Sequence, residues 1–154
     1  MILNYSDEKI ILGNKSLFLA GPTPRSNKIK SWRNEAIKIL AENNYDGIVY
    51  IPEFKNGFVK SDYMDQVCWE KEALNNANLI TFWIPRKIPK MPAFTTNIEF
   101  GYWIKSGKVL YGRPENAEKM KYLDWLYMNE LNRKPITSLD ALLKESISIL
   151  ENIK

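Results

Sequence analysis

Short continuous apolar runs, each halted by proline or glycine and each followed by a stretch of helical spacing, set the limits on how this chain folds. Ser16-Leu17-Phe18-Leu19-Ala20 stops at Gly21-Pro22-Thr23-Pro24, where two prolines forbid continuation of a strand. Ile48 to Ile51 stops at Pro52, Asn78 to Ile84 at Pro85, and Lys108 to Tyr111 at Gly112-Arg113-Pro114. Between these runs, apolar residues recur at helical spacing. The pattern predicts helices from Lys28 to Glu42 with Ser26 as cap, from Asp62 to Asn76, and from Asn97 to Ser106 with Thr95 or Thr96 as cap and Gly107 as stop. Two more follow, around Met120 to Leu131 and from Ser138 to Ile153. Strands without polar alternation, spaced by helices, are those of a parallel sheet covered on both faces. With Pro135-Ile136-Thr137 as a short fifth strand, the expectation is an α/β fold: a flavodoxin-like doubly wound sheet of about five parallel strands. Ahead of Ser16, the patches Ile2-Leu3 and Ile10-Ile11-Leu12 predict a small hairpin or an edge extension.

At 154 residues the chain is expected to form one domain, residues 1–154. Its 45% apolar and 26% charged content suits a globular core, and no run approaches the roughly 20 apolar residues of a membrane span. Met1 to Glu8 has neither a basic start nor a long apolar segment, so a cytoplasmic protein is expected. The single cysteine, Cys68, and the absence of histidine exclude an intrachain disulfide, a Cys/His zinc site and every histidine-dependent triad. Neither metal nor organic cofactor is expected. Lys and Arg exceed Asp and Glu by 22 to 18, but the basic residues are scattered, which argues against a nucleic-acid polymer as partner.

In an open parallel sheet, ligands bind beyond the carboxyl ends of the strands. The loop after the first core strand lacks both the dinucleotide fingerprint and the P-loop phosphate cradle. Two carboxylates stand out instead. Glu99 is expected in the first turn of its helix, where backbone N–H groups favour an ionised, nucleophilic carboxylate. Thr96-Asn97-Ile98-Glu99 also fits a capping box, and the tetrad alone leaves both readings open. Glu70, between Trp69 and Lys71, reads either as a site carboxylate or as a surface charge paired with a lysine. Tyr102 reads as core or as a residue orienting a carboxylate. Arg25, Arg86 and Arg113 fall in loops on the ligand side, as phosphate contacts or as solvated charges. Most tryptophans read as core or interface; Trp69, beside Glu70, is the one candidate for stacking on a base. Cys68 shares helical spacing with Met64 and reads as a buried structural thiol.

Three segments, Phe18 to Arg25, Ala77 to Trp83 and Thr95-Thr96-Asn97-Ile98-Glu99-Phe100-Gly101-Tyr102, resemble nucleoside 2-deoxyribosyltransferases, and in particular the branch called nucleoside 2-deoxyribosyltransferase-like. The likeness spans roughly Leu17 to Pro114, and Glu99, Gly101 and Tyr102 carry its most specific element. It implies a flavodoxin-like fold and cleavage of the N-glycosidic bond of 2′-deoxynucleosides through a covalent intermediate on Glu99, with Glu70 moving the proton of the base. Deoxyribose would pass to another base; water as acceptor, or binding without turnover, are the alternatives. The implied substrate contacts are Gly21, Pro22, Thr23, Arg25, Asp62, Trp69, Asn97 and Tyr102. A small-molecule nucleoside or nucleotide substrate and a homo-oligomer are implied as partners. The chain departs from the family where an aspartate and a glycine are usual, at Ala93 and Thr95, with Asn97 or Asp62 as replacements for the aspartate.

Overall fold

The computed structural model describes residues 1–24, 29–55 and 63–153. Five strands form one parallel sheet: β1 (Ile2–Tyr5), β2 (Ser16–Ala20), β3 (Ile48–Ile51), β4 (Leu79–Trp83) and β5 (Val109–Gly112), in the order β1-β3-β2-β4-β5. Among the described residues the α-helices are α1 (Trp32–Glu42), α2 (Tyr63–Asn76), α3 (Phe94–Trp103), α4 (Lys121–Leu131) and α5 (Leu139–Glu151). The expected doubly wound α/β architecture is therefore observed.

Alternation along each strand divides the core into two layers. Phe18, Ile80, Phe82 and Tyr111 point to the layer shared with α2, α3 and α4. Leu17, Leu19, Val49 and Leu110 point to the layer shared with α1 and α5. The one polar residue inside β4, Thr81, is satisfied there: its Oγ1 lies 2.8 Å from Ser146 Oγ on α5, which in turn donates to the Leu142 carbonyl at 2.8 Å.

Several expected boundaries move, each for a local reason. The fifth strand is β1, hydrogen-bonded along the free edge of β3, whereas Pro135 to Thr137 contributes a single bridge between Ile136 and Gly112. Extension there is blocked, because Pro135 has no N–H and Ser138 already caps α5 by accepting from Ala141 N at 3.4 Å. Residues 10–12 do not form a hairpin. Asn4 draws that segment in with its side chain, donating to the Lys9 carbonyl at 3.0 Å and accepting from Ile11 N at 2.9 Å. Helix α1 starts at Trp32 with Ser31 as cap; the expected cap Ser26 and start Lys28 lie outside the described residues. Helix α3 starts at Phe94, earlier than expected, and gives way to a 3₁₀ turn, Ile104–Ser106, that ends at Gly107 with φ 78° as expected of a stop.

Candidate active site

Strand β2 pairs with β3 on one side and β4 on the other, so the chain reverses its winding there and leaves a crevice at the carboxyl ends of β2 and β4. A cavity of about 570 Å³ fills that crevice, bounded by the turn after β2, the face of α2 and the start of α3.

The turn after β2 brings Gly21, Pro22 and Thr23 to the cavity. Gly21 has φ 151°, and a Cβ there would stand 2.1 Å from the carbonyl oxygen of Trp83, so only glycine lets the end of β2 pass the end of β4. Buried Arg33 of α1 holds this turn. It donates from Nε to the Leu19 carbonyl at 3.0 Å, from Nη2 to the Gly21 carbonyl at 2.8 Å and from Nη1 to Glu53 Oε1 at 2.6 Å. Sequence reasoning missed Arg33, although its signal was present: a cation three residues before Ala36 and seven before Leu40, in phase with the apolar face of α1.

Glu70 on α2 and Glu99 on α3 line the same cavity. Burial raises the Glu99 carboxyl to about 7, the charge of Glu70 adds to the rise, and Arg33 acts against it. Glu70 is also raised by burial, opposed by the hydrogen bond that Gln66 Nε2 donates to its Oε1 at 2.9 Å and by Arg33. Two expectations are corrected. Glu99 is neither in the first turn nor part of a capping box, since the cap of α3 is Ala93, in a left-handed conformation (φ 58°), and Glu99 is the sixth residue of the helix. The helix terminus therefore does not keep it ionised; burial and the charge of Glu70 hold its proton up to about pH 7. Glu70 is likewise no surface charge held by a lysine.

These elements coincide with a known sequence family, for the family model described as nucleoside 2-deoxyribosyltransferase like matches residues 14–117. The chain belongs to the nucleoside 2-deoxyribosyltransferase-like family. Among curated proteins, nothing matches it. The family match runs from just before β2 to just beyond β5 and contains both carboxylates, while β1, α4 and α5 lie outside it.

In this family member the remaining predicted contacts divide. Tyr102 lines the cavity, on the turn of α3 after Glu99, and it is 77% exposed rather than core. Trp69 does not reach the cavity. One residue from Glu70 is about 100° around a helix, which turns Trp69 into the core, edge-on to Tyr50, with its Nε1 donating to the Glu8 carbonyl at 2.9 Å. Asn97 is turned away as well, its Oδ1 accepting from Arg86 Nη2. Arg86 is buried and also donates to the Lys119 carbonyl at 3.0 Å, and Arg113 is clamped by Asp124, with Nη2 to Oδ2 at 2.7 Å. Neither lines the cavity, so neither serves as its phosphate contact. Arg25 and Asp62 lie outside the described residues. Cys68 is exposed, correcting its reading as a buried thiol, because the buried face of α2 runs through Trp69, Ala73 and Leu74. Ala93, where the family commonly has aspartate, and Thr95 both line the cavity.

Tyr63, Gln66, Val67, Lys71 and Trp103 also line the cavity and were not predicted. For the α2 residues the signal was available, since 63, 66, 67, 70, 71 and 74 trace one helical face through Glu70. Among the described residues, no cluster of three or more His, Cys, Asp or Glu is placed to hold a metal ion, and no helix is long and apolar enough to cross a membrane.

Proposed function

We propose that this chain cleaves the N-glycosidic bond of a 2′-deoxynucleoside and transfers the deoxyribosyl group to a second base by retaining double displacement. The observation that carries the reading is the placement of Glu70 and Glu99, from two helices, in one crevice at the switch point of the sheet. Ionised Glu99 attacks the anomeric carbon; the Glu99 oxygen to C1′ bond forms as the C1′ to nitrogen bond breaks, and the departing base takes a proton from Glu70. The incoming base then attacks C1′, gives its proton to the Glu70 carboxylate and releases Glu99. Burial raises both carboxyls, so each exchanges its proton closer to neutral pH than an exposed carboxyl does.

A mixed wall supports a nucleoside-sized substrate: Phe18, Leu74 and Trp103 offer apolar surface, Thr23, Thr96 and Gln66 offer hydrogen bonds. We also infer that the protein is a homo-oligomer in which a second copy covers the cavity rim, where Phe94, Ile98 and Tyr102 form an exposed stripe at four-residue spacing along α3. The test of activity is incubation with thymidine or 2′-deoxyinosine plus free adenine, followed by chromatography, beside Glu99→Ala and Glu99→Gln. The expected result is a 2′-deoxyadenosine peak that both variants lose. Free base without a new nucleoside makes water the acceptor, and binding without base release overturns the enzymatic reading.

A further inference from the structure

We propose that Arg33 is the positioning residue of this site: its guanidinium fixes the Gly21 to Thr23 wall of the cavity and stands as a permanent positive charge for the carboxylate pair. The inference rests on the reading of Glu70 and Glu99 as the reacting pair. Arg33 is 1% exposed, and all three of its side-chain nitrogens donate into the same region. Besides the Leu19 and Gly21 carbonyls and Glu53, Nη1 reaches Thr23 Oγ1 at 3.3 Å and the Pro22 carbonyl at 3.5 Å. The adjacent Trp32 completes the brace, its Nε1 donating to the Pro22 carbonyl at 3.1 Å while its ring lies 4.8 Å from the guanidinium carbon.

A planar fork of five N–H groups binds several carbonyls of one turn together, which an ammonium on a flexible stem cannot reproduce. Glu53 pairs with it at 2.6 Å and also accepts from Ser31 Oγ at 2.7 Å. Its positive charge lowers Glu70 and Glu99 alike, against the larger effect of burial. Among the described residues, the other charged and titratable groups lining the cavity with Glu99 are Tyr63, Glu70 and Lys71 on α2 and Tyr102 on its own helix. Arg33 thus joins the part of the cavity that meets the substrate to the part that reacts.

Charge and fork separate experimentally. The carboxyl titration of Glu99, followed by carbon-13 NMR, and amide exchange at Gly21 and Thr23 need no turnover and are compared in Arg33→Lys, Arg33→Met and Glu53→Gln. Arg33→Met should move the Glu99 midpoint up by at least half a pH unit. Arg33→Lys should leave the midpoint near the wild-type value yet speed exchange in the turn and raise KM for the nucleoside about tenfold. Glu53→Gln, which frees the full charge of Arg33, should move the midpoint down and decides the charge half if Arg33→Met does not fold. An unmoved midpoint in Arg33→Met, or in Glu53→Gln where that variant decides, overturns the proposal, as does unchanged exchange in Arg33→Lys. Variants that show these shifts while the wild-type protein turns over no nucleoside defeat the proposed activity and leave the positioning role standing.

Discussion

Glu99 binds its proton more tightly in the folded chain than in the unfolded one, so its ionisation above pH 7 costs folding free energy, and that cost disappears as pH falls toward the ordinary carboxylate range. Glu99→Gln, which resembles the protonated form, should therefore be more stable than wild type at pH 8, by on the order of 2 kcal/mol. Thermal melts should show the variant several degrees higher at pH 8 and level with wild type near pH 4.5. The same titration sets the rate. With Glu99 ionised as nucleophile and Glu70 protonated as acid, kcat/KM should be bell-shaped, falling about tenfold per unit at acid pH as Glu99 protonates and falling again at alkaline pH as Glu70 loses its proton, a profile that initial rates across pH 5 to 8.5 would show. At Gly21 the constraint is steric: Gly21→Ala places a Cβ against the backbone of β4 at a φ that side chains rarely adopt. Urea unfolding should find it about 3 kcal/mol less stable.

Helix α2 carries Glu70, and its carboxyl end is fixed by a residue from the neighbouring loop. Lys108 Nζ donates to the carbonyls of Leu74, Asn75 and Ala77 at 2.8, 3.0 and 3.0 Å, and stands 4.7 Å from the centre of the Trp103 ring. It therefore ties the end of α2 to the end of α3. Lys108→Met keeps the apolar stem and removes the charge that answers the helix dipole, at a cost of about 1 to 2 kcal/mol in urea unfolding. Elements such as this helix were legible as helices because spacing is local. Their phase was less so: Met64 and Cys68 have the spacing of a buried face, yet both are exposed, since the sheet instead takes Trp69 and Ala73.

Across the whole molecule, the sheet order places the ends of β2 and β4 side by side, and the two carboxylates follow because α2 leads into β4 and α3 leads away from it. The exposed stripe of Phe94, Ile98 and Tyr102 lines one side of this crevice rather than lying far from it. Analytical ultracentrifugation should find more than one copy per particle, and Ile98→Asp with Tyr102→Asp should reduce the particle toward the monomer mass. A wild-type monomer at micromolar concentration would end the oligomeric reading.

The sequence by itself determined the parallel α/β architecture, because continuous apolar runs and helical spacing are written in neighbouring residues and follow from the geometry of one strand or one helix. It also singled out Glu99 and Glu70, though their roles came only through a family resemblance. Tertiary structure decided which end segment completes the sheet, since Ile2 to Tyr5 beside β3 and Pro135 to Thr137 beside β5 lie at opposite edges, and only long-range pairing settles which of them forms a strand. It decided that Glu99 sits past the first turn, and so that burial beside Glu70, rather than a helix terminus, governs its proton. It turned Trp69 and Asn97 away from the cavity and brought Arg33 beneath it. These are matters of rotation about an axis and of distance through space, and local spacing constrains neither until the elements pack.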